Sequence, residues 1–506
     1  MTNFFCASSI VIFGGTGDLA SRKLIPALCR LQYAKLLIND FHIFVTGRSE
    51  KTSEAFLADF AKRQQRAMAD DQAFKEGFEQ LKNRIIYIKA DPDTSDAAND
   101  FKSRLESNEK EAAPARLFYL AVPPDSMHKF IELIKPFSEK NKGSGCPVRI
   151  LVEKPFGHNL QTAIELNNRL LASFSEEQIL RIDHYLGKEA VQNILFMRFA
   201  NIFFEPLWNN QYIDNVQISF AESIGIGNRA EYFDKTGILR DVVQNHLLQV
   251  LCLVAMEPPL SNRPEHIRIE KTKVLKAIRK YSVDQVPEEV IRARYISSTI
   301  KNVKVNSYLE ESGVASNSST ETYAACRLLV DNWRWSGVPF YLRAGKRLDK
   351  NLTEICINFK RLPHSIFSDQ SPTILANRLY IRIQPNEGIT IKINSKPPGM
   401  DLRVTDVELK FSYEEEFGSY RPDAYERLLQ DSLQGNSALF ISSQEIEEAW
   451  KIIDPIIEAW KTNKSIPIHE YPAGSEGPIE ALELLAKHGH CWFPSVGKAA
   501  DCKQKS

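Results

Sequence analysis

The densest group of chemically competent side chains lies in residues 181–189. His184 and Lys188 are four residues apart, so a helical segment would place both on one face, where they could donate to a phosphate. Tyr185 adds a hydroxyl, and Asp183 would point elsewhere and hold a different group. The alternative is a capped helix start with ordinary ion pairs. The crowding of so many polar groups favours a phosphate-binding segment.

A second candidate group lies on the largely apolar stretch 237–256, which is predicted to be a helix. His246 falls where the stretch is apolar, so its ring must find a polar partner, and many such histidines are satisfied core residues. Oxidation of an alcohol, however, needs a base near neutral pH, which suits an imidazole oriented by a carboxylate. Asp183 is the candidate for that carboxylate. Asp241, on the same stretch, could accept from sugar hydroxyls or serve as a surface acid.

Further candidate side chains follow predicted strands. Lys154, in the segment 153–157, comes directly after one, and ligands of open α/β sheets bind at the carboxyl ends of strands. Glu153 could be its ion-pair partner, although a lysine at a strand end is usually solvated. Glu222 ends a later strand and Lys346 adds another cation, and each is as consistent with surface roles as with sugar binding.

A glycine turn follows the apolar run Ile10–Phe13. Gly15, Gly17 and Ala20 fill the pattern G-x-G-x-x-A, in which the glycines allow a tight turn and close approach to a pyrophosphate, and the small third residue lets helix pack on strand. An ordinary strand-to-helix turn is the alternative. The preceding strand and the helical pattern after it favour a dinucleotide site, with these cofactor-binding residues: Gly14, Gly15, Thr16, Gly17, Asp18, Leu19 and Ala20.

Coenzyme choice should depend on the residues after the second predicted strand, 41–46. Arg48 lies there and favours the 2′-phosphate of NADP, whereas Glu50 leaves NAD open.

The hydrophobic patterns predict two domains. Short apolar strands alternate with helices up to about residue 180, which is typical of a doubly wound parallel sheet covered on both faces. Longer alternating strands follow, such as 378–384 and 388–393, and these favour antiparallel pairing. We therefore expect an α/β Rossmann domain, 1–180, that binds NADP, and an α+β domain, 181–506, with a large antiparallel sheet. Pro455 should bend or end its helix 443–459.

The composition argues against several classes of protein. The 64 basic and 64 acidic residues give no long-range field to gather nucleic acid or anionic membranes. The eight cysteines lack the spacing of zinc sites, so we expect a reducing cytoplasm and no metal, with the cluster 488–491 as a surface loop. The longest apolar run, 247–256, suits a buried helix rather than the roughly 18 residues of a membrane span.

Taken together, these segments resemble the motifs of the glucose-6-phosphate dehydrogenase family, in the same order and over nearly the whole chain. The resemblance rests on 14–20, 153–157, 181–189, 240–246 and 343–346. It implies oxidation of glucose 6-phosphate at C1 to 6-phosphogluconolactone with reduction of NADP, the first step of the oxidative pentose phosphate pathway. It also implies a homodimer or homotetramer that uses the large sheet for association.

The resemblance assigns roles position by position. His246 is similar to the proton acceptor, and Asp183 to its dyad partner. The expected phosphate ligands are His184, Tyr185 and Lys188. The expected sugar-binding residues are Lys154, Glu222, Asp241, Lys346 and Gln384, with Lys154 also reaching the cofactor and Arg48 meeting the 2′-phosphate.

The chain departs from the family pattern in two places. Asn351 stands where many relatives carry a second basic residue, so either Lys350 replaces that residue or the contact is absent. The stretch from Tyr471 onward is similar to bacterial members and lacks the tail tied to a second, structural NADP. Two other functions stay open: a broader hexose or hexose-6-phosphate dehydrogenase that also uses NAD, and a regulator that senses NADP without turnover.

Overall fold

A computed structural model describes residues 6–94, 96–109, 115–138, 148–367, 374–418 and 422–493. The chain forms two compact units. The first comprises Met1–Lys188, Ser261–Arg268 and Arg421–Glu447, and the second comprises Glu189–Leu260, Ile269–Tyr420 and Glu448–Ser506. The functional domains 1–180 and 181–506 stay predictions.

The strands in chain order are β1 Ser9–Phe13, β2 His42–Gly47, β3 Ile85–Lys89, β4 Arg116–Leu120, β5 Val148–Val152, β6 Ile179–Ile182, β7 Ile213–Ala221, β8 Val290–Ile296, β9 Ser298–Ile300, β10 Val303–Val305, β11 Tyr323–Leu329, β12 Pro339–Gly345, β13 Leu352–Phe359, β14 Arg378–Gln384, β15 Gly388–Ser395, β16 Thr405–Ser412, β17 Phe440–Ile441 and β18 His469–Pro472.

The α-helices are α1 Ile25–Tyr33, α2 Ser53–Asp70, α3 Gln72–Leu81, α4 Ala97–Asn108, α5 Pro124–Ile134, α6 Leu160–Ser173, α7 Glu189–Phe199, α8 Ala230–Ile238, α9 Leu248–Ala255, α10 Pro264–Ala277, α11 Val286–Glu289, α12 Tyr413–Phe417, α13 Ala424–Gln434, α14 Ser443–Thr462 and α15 Ile479–Ala486. Two segments are π-helical, Ala20–Leu24 and Leu239–Leu247.

The first unit is built on a seven-stranded sheet in the order β17-β6-β5-β4-β1-β2-β3. All neighbours are parallel except the pair of β17 with β6. Apart from β17, this is the strand order of dinucleotide-binding folds, in which the order reverses between β1 and β4. Every residue of β1 and β4 is buried, as expected for parallel strands covered on both faces.

The segment that returns to the first unit near the C-terminus packs into its core. Leu428 and Leu429 of α13 and Phe440 of β17 belong to the same buried cluster as Ile10 and Val45. Propensity locates a helix, whereas its packing partner is set by contacts remote in the chain.

The second unit is built on a nine-stranded sheet in the order β16-β15-β14-β13-β7-β12-β11-β8-β18. The pairs β7–β12 and β8–β18 are parallel, and the other neighbours are antiparallel. These two sheets confirm the predicted fold class: an α/β Rossmann part and an α+β part with a large antiparallel sheet.

Two helices test specific predictions from the sequence. Pro455 lies inside α14, which continues to Thr462, so the proline does not end that helix. The run Ala230–Ala255 is long and apolar enough to match a membrane span by composition, but 94% of its most apolar window is buried within the protein. That burial is the environment of a core helix, as predicted for 247–256.

Candidate active site

The glycine turn of the first unit has the geometry that a pyrophosphate requires. Gly14 has a φ of +73°, and a Cβ there would lie 2.3 Å from the carbonyl oxygen of Ala121. At Gly15 a Cβ would lie 2.3 Å from Val45 Cγ1, and at Gly17 it would lie 3.0 Å from the Gly14 oxygen. A side chain would therefore fill the turn at each of these positions.

The backbone after the turn enters a helix at once. Thr16, Gly17 and Asp18 are exposed, helical backbone begins at Asp18, and Ala20 is fully buried at the start of the π-helical segment. Exposed N–H groups at such a start are suited to hold an anion. The turn thus fits a dinucleotide, with Ala20 as the small residue that lets the helix approach the sheet.

The end of β2 carries the residues expected to choose the coenzyme. Arg48 is exposed directly after the strand. Glu50 lies 3.7 Å from Lys89 Nζ and 3.6 Å from an Arg104 guanidinium nitrogen. Because Glu50 already faces two cations, the electrostatics at this edge of the sheet favour a phosphate over a neutral ribose hydroxyl.

The carboxyl end of β5 places Lys154 at the edge where ligands bind in such sheets, and the Lys154–Pro155 peptide is cis. The carboxylate of Glu153 accepts hydrogen bonds from Tyr119 Oη at 2.6 Å and from Tyr425 Oη at 3.3 Å. Two phenols thus hold one oxygen of Glu153, and the charge of Lys154, its predicted ion-pair partner, also acts on the carboxyl group.

Residues 183–188 form consecutive turns rather than a helix, and α7 begins only at Glu189. The amides of Leu186 and Lys188 donate to carbonyls three residues earlier, and Asp183 Oδ1 accepts from the Tyr185 amide at 2.9 Å. The prediction that His184 and Lys188 share a helical face therefore does not apply. Lys188 Nζ instead lies 4.6 Å from the centre of the Tyr185 ring.

Aromatic packing groups the phosphate candidates and adds one residue that the sequence analysis missed. The His184 and Tyr185 rings are 5.2 Å apart, and the Tyr425 ring stacks on His184 at 6.4 Å with an angle of 8°. Tyr425 follows the capping residue Asp423 of α13. The only local signal was the helix start, which says nothing about proximity to His184.

In the second unit, three candidates emerge at one end of the large sheet. The last residues of β7 and β12 pair with each other, and β14 runs in the same direction two strands away from β7. Glu222, Lys346 and Gln384 stand at or just after these strand ends. Lys346 Nζ donates to Glu222 Oε2 at 2.5 Å. The arrangement offers a charged acceptor and a charged donor side by side.

Asn351 supports this corner through contacts with Ser223. Its side-chain oxygen accepts from the Ser223 amide at 2.7 Å and from the Ser223 hydroxyl at 3.0 Å. Lys350 Nζ lies 3.2 Å from Asp349 and 4.0 Å from Glu476. Asn351 therefore fixes the segment that carries Glu222.

His246 is 2% exposed and Asp241 is 6% exposed, and both lie on the π-helical segment Leu239–Leu247, which packs against β12. Hydrogen bonds in a π-helix join residues five apart, which is the spacing of Asp241 and His246. The turn geometry therefore brings the two residues to neighbouring positions on successive turns. Burial raises the pKa of the Tyr232 phenol, and the nearby charge of Asp241 raises it further.

The start of this helix depends on two residues that the sequence analysis did not single out for this purpose. Gly237 was expected to be helical, but it has φ +71° and ψ 168°, and helical backbone resumes at Ile238. Glu321 accepts from the Leu239 amide at 3.0 Å, and its backbone oxygen accepts from the Ile238 amide at 3.1 Å. Burial raises the pKa of Glu321. A carboxylate at this helix end also interacts favourably with the helix dipole.

His490, near the C-terminus, contacts structural partners. His490 Nδ1 shares a 2.8 Å hydrogen bond with Tyr341 Oη, and its Nε2 lies 3.2 Å from Asp214. Within the described parts of the chain, His, Cys, Asp and Glu side chains form no group of three suited to a metal ion.

Comparison with known proteins groups both regions in one family. Residues 11–193 match the family described as glucose-6-phosphate dehydrogenase, NAD binding domain, and residues 195–493 match its C-terminal domain. The glucose-6-phosphate 1-dehydrogenase of Rhizobium meliloti is 42% identical over 491 residues, which cover 96% of this chain and 97% of that protein. The enzyme of the same name from Treponema pallidum is 42% identical over 96% of this chain and 94% of that protein.

Solved structures agree with the sequence relatives. A glucose-6-phosphate dehydrogenase in complex with glucose 6-phosphate has a TM-score of 0.86 and 37% identity, with 98% of this chain and 100% of that chain covered. The enzyme from Mycobacterium avium has a TM-score of 0.80 and 34% identity, over 97% and 100% of the two chains. The chain belongs to the glucose-6-phosphate dehydrogenase family, whose members are sugar-phosphate dehydrogenases that act on a CH–OH group and use NADP.

Proposed function

We propose that this chain oxidises glucose 6-phosphate at C1 to 6-phosphogluconolactone and transfers the hydride to NADP, the first step of the oxidative pentose phosphate pathway. Family membership supports the reaction. The structural observation that carries it is the buried His246 on a π-helical segment beside β12, the strand that leads to the paired Lys346 and Glu222. That group combines a proton acceptor with polar partners for a sugar.

His246 removes the proton of the C1 hydroxyl, because a neutral imidazole is a suitable base near neutral pH. NADP, when bound, would supply the acceptor for the C1 hydride. Asp183, which is 1% exposed in the first unit, is the proposed partner that stabilises the imidazolium. Positioned general-base catalysis contributes about a hundred- to ten-thousand-fold to the rate.

The remaining candidates divide between the two ends of the substrate and the coenzyme. His184, Tyr185 and Lys188 bind the 6-phosphate, supported by their grouping around the turn 183–188. The sugar hydroxyls are bound by Glu222, Lys346, Asp241, Gln384 and Lys154. Arg48 binds the 2′-phosphate of NADP, the turn 14–20 binds its pyrophosphate, and Lys154 also reaches the coenzyme.

The test of this proposal compares two histidine variants. Purified protein is mixed with glucose 6-phosphate and either NADP or NAD, and reduced nicotinamide is followed by absorbance. His246→Asn should lower kcat by about a hundredfold or more without raising KM for glucose 6-phosphate. His490→Asn is the matched control, because His490 is a histidine of the same unit that lies 3.2 Å from Asp214 and has no proposed role.

The same assay decides between the alternatives. Rates with glucose, galactose 6-phosphate and NAD that equal the rate with glucose 6-phosphate and NADP would favour a broader hexose dehydrogenase. Binding of NADP without turnover would favour a regulator. A near-normal kcat in His246→Asn would reject the assignment of the base.

We also propose a cytoplasmic homodimer or homotetramer. The edge strand β16 supports association, because Val407 and Leu409 are exposed on it and an exposed edge can pair with another chain. Light scattering of the purified protein measures the assembly. Five described cysteines are free thiols, as expected in a reducing cytoplasm: Cys6, Cys29, Cys252, Cys326 and Cys356. Cys491, in contrast, is disulfide-bonded. Fractionation of cells tests the location.

A further inference from the structure

Glu153 immediately precedes Lys154, and the reaction outlined above gives it no role. Its carboxyl group is enclosed by the protein, although part of the residue reaches solvent. One oxygen, Oε1, accepts from both Tyr119 Oη at 2.6 Å and Tyr425 Oη at 3.3 Å. An acceptor that serves two phenols fixes the position of both rings.

The second of these phenols connects Glu153 to the phosphate candidates. The Tyr425 ring lies parallel to the His184 imidazole, with an angle of 8° and ring centres 6.4 Å apart. Because Tyr425 is anchored at its hydroxyl, its ring offers the imidazole a fixed surface. The path from Glu153 through Tyr425 to His184 lies wholly within the first unit.

The charges around Glu153 favour this acceptor role. Burial raises the pKa of Glu153, whereas the hydrogen bonds from Tyr119 and Tyr425 and the charge of Lys154 act in the opposite direction, and the Asp183 carboxylate adds to the rise. Burial and the Glu153 charge raise the pKa of both phenols, so the tyrosines keep their protons and donate.

We propose that Glu153 is a positioning residue for phosphate recognition: it holds Tyr425 by the hydroxyl, and Tyr425 holds the His184 imidazole in the orientation that binds the 6-phosphate. This inference rests on the proposed function, because it takes His184 as a phosphate ligand. It predicts that a change at Glu153 alters discrimination between a phosphorylated and a free sugar, although Glu153 itself need not touch either one.

The test uses Glu153→Gln, Tyr425→Phe, their double variant and Tyr119→Phe in the full-length protein. Glu153→Gln keeps the shape and removes the charge, and it should raise KM for glucose 6-phosphate about tenfold. The kinetics with free glucose and KM for NADP should change less than about twofold, since neither requires a phosphate ligand. Tyr425→Phe keeps the stacked ring and loses the same hydrogen bond, so it should behave like Glu153→Gln.

Two further comparisons separate positioning from a general structural effect. In the Tyr425→Phe background, Glu153→Gln should add little, because coupled residues give non-additive effects in a double-mutant cycle. Tyr119→Phe removes the other donor to Glu153 but leaves the contact between Tyr425 and His184 in place. It should therefore lower Tm without the tenfold rise in KM for glucose 6-phosphate.

Several results would overturn the inference. They are an unchanged KM for glucose 6-phosphate in a folded Glu153→Gln, additive effects in the double variant, or an equal loss of efficiency with free glucose. Should Glu153→Gln not fold, Tyr425→Phe alone still decides, because a KM equal to that of the unmodified protein rejects the path. Failure of the proposed function is distinct, since the unmodified protein would then form no NADPH from glucose 6-phosphate.

Discussion

Replacement of Gly237 by alanine tests how the structure holds the helix that carries His246. With φ +71° and ψ 168°, Gly237 occupies a backbone region that is essentially restricted to glycine. A Cβ would also lie 2.2 Å from Glu321 Oε1 and 2.7 Å from Glu321 Cδ. Alanine must therefore change the backbone and displace a buried carboxylate.

The expected cost follows from these two contributions. The backbone conformation costs roughly 1–3 kcal/mol for a residue with a side chain. Displacement of Glu321 removes the hydrogen bond from the Leu239 amide to a charged acceptor, which contributes about 1.5–3 kcal/mol. The free energy of unfolding should thus fall by at least roughly 2.5 kcal/mol, and Tm by at least roughly 5–10 °C.

Gly337→Ala is the matched control, because Gly337 has a φ of +84° but a Cβ there would meet nothing within 4 Å. It should show only the backbone cost, about 1–2 kcal/mol. Thermal unfolding by circular dichroism gives the stabilities, and kcat with glucose 6-phosphate should fall in Gly237→Ala alone, since His246 follows on the same helix. Equal stability of the two variants would refute the role assigned to Glu321.

Three other predictions concern single side chains. Lys188→Ala should raise KM for glucose 6-phosphate about tenfold and leave the kinetics with free glucose unchanged, and equal effects on both sugars would reject the phosphate role. Arg48→Ala should weaken NADP binding about tenfold without affecting NAD, as measured by titration of protein fluorescence. Partial burial raises the pKa of Asp71, but the hydrogen bond from the Phe74 amide and the contact with Arg30 lower it by more. The folded pKa therefore lies below the ordinary value. Asp71 therefore stabilises the fold above its unfolded pKa. In urea unfolding at pH 7 the unmodified protein should be more stable than Asp71→Asn by about 1 kcal/mol, and this difference should vanish as the pH falls through the folded pKa. A difference that grows in acid would contradict the sign.

Local patterns were sufficient for much of the first unit. The apolar run 10–13 was predicted as a strand and lies in β1, Ser9–Phe13, because five consecutive buried residues leave a clear apolar signal. The strand 378–384 has its predicted bounds too. The glycine turn was predictable because the positive φ of Gly14 and the close approaches at Gly15 and Gly17 each demand a missing side chain.

Contacts between residues remote in the chain could not be predicted from local sequence patterns. Glu321 sits at the start of the helix that carries His246, and Tyr425 stacks on His184, yet neither neighbours its partner in the chain. An acid before a strand and a tyrosine at a helix start are ordinary surface patterns. Only the paired strands and the return of 421–447 to the first unit bring these residues to their positions.

The π-helical segments show a limit of a different kind. A period of 3.6 residues predicts helix for 237–256, but it assumes about 100° of rotation per residue. At that rotation Asp241 and His246, five residues apart, would point in directions about 140° apart. In the structure Leu239–Leu247 has hydrogen bonds between residues five apart, so the two side chains fall on neighbouring turns of one face. The proposed sugar-binding carboxylate and the proposed base therefore share a face because the helix departs from α geometry, and a periodicity argument that located the helix correctly would have separated them.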